Sequence, residues 1–234
     1  MFLVLALAAV PFTYDGTMHR GGRLEITDVN GSIRVHTGDR FHIRAEKHGT
    51  HSDPSQVAIR VETHGDTTVV CVRYPPDQNA PCDAHESTHD NDVEVDFDVE
   101  VPHGIALTAR SVNGNVEAQN DGPIDDIASV NGNVRAEGTE VERIETVNGN
   151  IDAHVVGSRG GSLEAKTVNG ELTVTLPGGS GARVTAKTLN GDIRVGLPVS
   201  RPQFGPGASV NGTVGNGAYD LRLNSLNGSI TLRR

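Results

Sequence analysis

One short signature recurs along this chain and sets most of what it can fold into. Eight segments share an aliphatic residue, Asn, Gly, a polar residue and a second aliphatic: DVNGSIRV (Asp28 to Val35), SVNGNVEA (Ser111 to Ala118), SVNGNVRA (Ser129 to Ala136), TVNGNIDA (Thr146 to Ala153), TVNGELTV (Thr167 to Val174), TLNGDIRV (Thr188 to Val195), SVNGTVGN (Ser209 to Asn216) and SLNGSITL (Ser225 to Leu232). Seven of the eight open with Ser or Thr, and from Asn113 onward the pairs recur every 16 to 21 residues. A fixed period of that length is the mark of a repeat architecture in which each unit buries its apolar face only against its neighbours. Asn-Gly turns the chain sharply, and the alternation after Gly reads as a half-buried strand.

Turn plus short strand fits either a meander of hairpins or a solenoid with one Asn-Gly corner per coil. Only one turn type recurs at a coil-length period, while the other breaks (Gly157 to Gly161, Pro177 to Gly181, Pro202 to Gly207) vary in length. The expectation is therefore all-β: a single-stranded parallel β-helix (β-solenoid) with an N-terminal β-rich capping region. The corners are Asn30-Gly31, Asn113-Gly114, Asn131-Gly132, Asn148-Gly149, Asn169-Gly170, Asn190-Gly191, Asn211-Gly212 and Asn227-Gly228. Coils stacked in chain order would align Val112, Val130, Val147, Val168, Leu189, Val210 and Leu226 as one interior row. Val116, Val134, Ile151, Leu172, Ile193, Val214 and Ile230 would form another, and the corner asparagines from Asn113 to Asn227 an amide ladder. A narrow interior accounts for only 3% aromatic residues and no Trp, because bulky rings would overpack it.

The expected organisation is a leader over residues 1–17, an N-terminal β-region over 18–110 and repeats over 111–234. Phe2 to Val10 is an apolar run of signal-peptide length, too short to span a bilayer and without a basic residue before it. Nothing later approaches a membrane span. That implies an exported chain of the periplasm, cell surface or medium. In an oxidising compartment Cys71 and Cys82, the only cysteines, are expected to form a disulfide. The Pro-rich, polar loop from Pro75 to Asp92 is expected to be mobile.

The [ST]-[VL]-N-G-x-[IVL] repeats, the segment VDFDVEVPHG (Val95 to Gly104) and the terminal LNSLNGSITLRR resemble the bacterial putative-adhesin β-strand-repeat family, a domain of unknown function. The resemblance implies a β-helix on exported or envelope-associated proteins and supplies no catalytic or ligand residues.

The net charge of -10 excludes a phosphate-tracking nucleic-acid binder. Asp83 to Glu100 holds eight carboxylates with His85 and His89 and no Lys or Arg. Asp83, His85, His89 and Asp90 are the candidate metal ligands by chemistry, although the alternation of Glu94, Asp96, Asp98 and Glu100 with Val and Phe also describes a solvated strand face. Carbohydrate-active β-helix enzymes need two carboxylates across a sugar bond; Asp121, Asp125, Asp126, Glu140, Glu142 and Glu145 include no pair singled out by position. No nucleophile elbow or phosphate loop occurs, so no catalytic residue and no cofactor is assigned. The reading is a non-catalytic binding surface or scaffold at the bacterial envelope, with an envelope glycan or protein as partner. Self-assembly through uncapped end coils, the C-terminal one above all, is the alternative, and a carbohydrate-active β-helix enzyme is the second.

Overall fold

Alternating apolar and polar residues on both sides of each corner dictate short strands with one buried face. The computed structural model describes residues 10–83, 91–157, 160–196 and 207–234. Its strands are β1 (Val10–Gly16), β2 (Arg23–Asn30), β3 (Ile33–Gly38), β4 (Phe41–His48), β5 (Ala58–His64), β6 (Thr67–Arg73), β7 (Glu94–Pro102), β8 (Ala106–Asn113), β9 (Val116–Asn131), β10 (Val134–Val141), β11 (Arg143–Asn148), β12 (Ile151–Val155), β13 (Gly161–Asn169), β14 (Leu172–Thr175), β15 (Ala182–Asn190), β16 (Ile193–Val195), β17 (Ala208–Val214), β18 (Tyr219–Asn227) and β19 (Ile230–Arg233). No helix among the described residues is long and apolar enough to cross a membrane.

The strands form two ladders joined at the Asn-Gly corners, an all-β, β-solenoid-like arrangement. The ladder that holds the strands preceding the corners runs β5, β6, β2, β8, the second half of β9, β11, β13, β18, β15, β17. The ladder that holds the strands following the corners runs β1, β4, β7, β3, the first half of β9, β10, β12, β14, β19, β16. The central pairings are parallel. Antiparallel pairs appear towards the ends: β5–β6 and β15–β17 in the first ladder, β1–β4 and β4–β7 in the second. Inward side chains such as Ile127, Ile144, Leu163 and Leu223 from the first ladder, with Val116, Val134, Ile151 and Leu172 from the second, belong to one core cluster and are almost fully buried.

Stacking departs from chain order at both ends. The C-terminal coil β18–β19 is inserted between β13–β14 and β15–β16. The first coil, β2–β3, likewise lies between β6–β7 and β8–β9. The expected uncapped C-terminal coil is therefore corrected: Ile230 and Leu232 are buried with a neighbouring coil on each side. The motif at Asn211-Gly212 makes no corner either. β17 runs straight through it, antiparallel to β15, with Asn211 opposite Thr185.

Residues 18–110 share both ladders with the repeats. β2 and β3 carry the corner Asn30-Gly31 and pair directly with β8 and β9. Of the expected leader, residues 1–9 lie outside the described residues, and Val10–Gly16 is strand β1, paired along its length with β4. Cys71 and Cys82 are joined by a disulfide with their Cα atoms 5.7 Å apart. Beside it the fully buried Arg73 donates to the carbonyl of Pro81.

Candidate binding groove

Six of the seven corners, all but the one that opens with Asp28, are built the same way. The Ser or Thr that opens the motif points inward and donates to a corner-glycine carbonyl one coil away: Ser129 Oγ to Gly114 O at 2.8 Å, Thr146 Oγ1 to Gly132 O at 2.8 Å, Thr167 Oγ1 to Gly149 O at 3.1 Å and Thr188 Oγ1 to Gly228 O at 2.9 Å. The corner asparagines form a continuous amide ladder in the order Asn30, Asn113, Asn131, Asn148, Asn169, Asn227, Asn190, each step at 2.7 to 2.9 Å. Asn30 joins this ladder and Asn211 does not. A second row lies two positions on, where Asn115, Asn133 and Asn150 accept main-chain N–H bonds from the next coil at 2.8 Å. The glycines are fixed by closeness: a Cβ at Gly149 would lie 2.0 Å from Gly132 O. Gly31 in addition takes a φ of +130°.

The aliphatic row before the asparagines faces outward, which corrects its expected place in the interior. Strand alternation is the reason: in β13, Leu163, Ala165 and Thr167 face in, so Val168 faces out. Among the described residues seven large hydrophobics are exposed, and six are on this row: Val112, Val130, Val147, Val168, Leu226 and Leu189, at 37 to 55% exposure. Val210, expected in the same row, is buried in β17. The other expected row does lie inside. It runs Ile33, Val116, Val134, Ile151, Leu172, Ile230, Ile193 by register, without Val214, which belongs to β17.

The outward aliphatics from Val112 to Leu226 line one side of a groove of about 730 Å³. Its floor is the buried row Ser111, Ser129, Thr146, Thr167, Ser225, and its far side is Arg110, Ala128, Glu145, Lys166, Asn224. The charges of that far side are compensated locally. Arg110 meets Asp126 at 3.0 Å, and Lys166 meets Glu164 at 2.7 Å and Glu145 at 3.5 Å. The hydrogen bond to Asp126 raises the Arg110 pKa, and that to Glu164 raises the Lys166 pKa, while Lys166 lowers that of Glu164.

A family model described as Toastrack DUF4097 matches residues 114–233. The chain belongs to that Toastrack family. A putative cell adhesion protein from Clostridium sporogenes ATCC 15579 shares the fold, with a TM-score of 0.55 at 11% identity over 97% of this chain and 99% of that one. A putative adhesin (BF0245) from Bacteroides fragilis NCTC 9343 aligns over 97% of this chain and 96% of that one, with a TM-score of 0.38 and 11% identity. The search of curated proteins returns no match.

Elsewhere on the Toastrack chain, four of the acidic residues considered for catalysis, Asp121, Asp125, Asp126 and Glu145, meet cations or main-chain donors. Asp125 meets Arg23 at 2.5 Å, and Asp121 accepts from Gly104 N at 2.9 Å and contacts the His103 ring. That contact raises the His103 pKa and lowers that of Asp121. Of the candidate metal ligands, His85, His89 and Asp90 lie outside the described residues, and Asp83 is exposed. Among the described residues no three His, Cys, Asp or Glu side chains cluster as metal ligands do.

Proposed function

We propose that this Toastrack chain is a non-catalytic, exported, adhesin-like module wound as a β-helix, and that it works by docking another molecule along its groove. One observation carries the reading: a continuous row of branched aliphatics is left at the surface, over a floor whose polar groups are already hydrogen-bonded. Contiguous apolar surface of this kind marks interaction sites on soluble proteins. The neutralised far wall supports docking by shape and apolar contact more than by electrostatic steering.

The test compares the wild-type chain with Val147→Asp/Val168→Asp, both coupled to beads and exposed to bacterial envelope preparations. Both side chains are already exposed, so the fold is expected to hold and circular dichroism to be unchanged. The variant should lose most of the retained material. Equal retention by the two proteins would overturn the groove as the working surface.

A further inference from the structure

Resting on that reading, the partner itself follows from the shape of the groove. The row from Val112 to Leu189 is a ridge, and the groove runs beside it, parallel to it, with the same rise of about 4.8 Å per coil. A ridge next to a parallel groove is complementary to itself. A two-fold axis parallel to the ridge, set midway between ridge and floor, drops each copy's ridge into the other's groove. We propose that the occupant is a second copy of this chain, paired side by side and parallel, coil against equivalent coil.

Three observations favour this occupant. The first is pitch: two identical ladders keep step along the whole ridge, whereas an extended peptide lying along it presents same-side residues every ~6.6 Å and loses register within a few coils. The second is charge. The two-fold places the wall that holds Arg110, Glu145 and Lys166 against the partner's asparagine ladder, so charged groups meet neutral carboxamides. The cations of that wall already pair with Asp126, Glu145 and Glu164, and the net charge of -10 is not concentrated at the contact. The third is size. Six coils, five steps apart in all, make a ridge about 24 Å long, and with its flanking rows it covers roughly 500 Å² per copy, in the range of small, transient interfaces. The dimer is accordingly weak and concentration-dependent.

Sedimentation velocity over roughly 10 µM to 1 mM tests it, a range suited to weak association. The wild-type chain should pass from monomer to dimer. Val130→Thr/Val147→Thr/Val168→Thr, which keeps β-branching and fold, should raise the dissociation constant about ten-fold, and the Asp variant should stay monomeric. Orientation is read separately with a short thiol cross-linker. Val112→Cys alone and Leu226→Cys alone should each cross-link to the same site on the other copy. Cross-linking only between the two different variants would overturn the parallel arrangement. A wild-type chain that remains monomeric throughout overturns the second-copy proposal. The docking reading then survives if the Asp variant still loses envelope retention, and falls with the proposal if it does not.

Discussion

Replacing Gly149 by alanine should destabilise the protein far more than a glycine change at an open turn. A Cβ there would lie 2.0 Å from the carbonyl oxygen of Gly132 and 2.5 Å from its carbonyl carbon. Both contacts are main chain, so no rotamer change relieves them, and the neighbouring coils must part by about 1 Å to reach ordinary contact. The hydrogen bonds crossing that gap are Gly132 N to Asn148 O (3.1 Å), Val134 N to Asn150 O (2.9 Å), Thr146 Oγ1 to Gly132 O (2.8 Å), Asn148 Nδ2 to Asn131 Oδ1 (2.8 Å) and Asn150 N to Asn133 Oδ1 (2.8 Å). Stretched by that much they pass the limit of useful geometry. At about 1 kcal/mol each, with the strain shared among them, the expected loss is about 3–5 kcal/mol. Gly65 is the control: its φ is +63° and a Cβ meets nothing within 4 Å, so Gly65→Ala costs only about 1 kcal/mol of backbone strain. Urea unfolding followed by far-ultraviolet circular dichroism measures both. Equal midpoints for the two variants would refute the idea that inter-coil closeness, and not turn conformation, fixes the corner glycines.

Removing the disulfide with Cys71→Ala/Cys82→Ala should cost about 3 kcal/mol, the loop-closure value for a separation of 11 residues, read as a lower urea midpoint with an unchanged spectrum. Deleting residues 219–234 takes a coil from inside the stack, so β13 and β15 should both lose amide protection in hydrogen exchange; protection lost only next to the new terminus would contradict the intercalated order. Asp92 accepts N–H bonds from Ser52 chiefly, then His51 and Thr50, and its pKa is lowered. Its contribution is present above roughly pH 4 and is lost as the pH falls through the depressed folded value, so Asp92→Asn should flatten the acid limb of stability against pH. The raised pKa of His103 has the opposite sign: its contribution is complete below roughly pH 6.5 and fades as the pH rises through the folded value. An NMR titration in which Asp121→Asn leaves the His103 midpoint unmoved would reject the pairing.

Much of the fold was legible because one motif states both turn and strand. The corners at Asn113, Asn131, Asn148, Asn169, Asn190 and Asn227, and the inner row from Val116 to Ile230, follow from period and alternation alone. The outward row was also within reach. In LEAKTVNG the inward set Leu163, Ala165, Thr167 has period two, so Val168 is out of phase with it, and phase outweighs hydrophobicity in deciding its side. Arg73 had no such signal, since a buried guanidinium that donates to a loop carbonyl depends on the disulfide-tied segment around it.

Stacking order is illegible for a different reason. The coils at Asn169, Asn190 and Asn227 present nearly the same corner, the same inward Ser or Thr and the same aliphatic pair, so each fits beside either of the others and local sequence assigns no order. The choice falls to the connections. β17 returns antiparallel along β15 and occupies its outer edge, which leaves β18 the inner side, between β15 and β13. The interchangeability that hides this order also keeps the surface regular across it: Leu226 stands between Val168 and Leu189 without a break in the ridge, although it comes from the far end of the chain. A docking face built this way depends on the motif being repeated, and not on which repeat supplies each step.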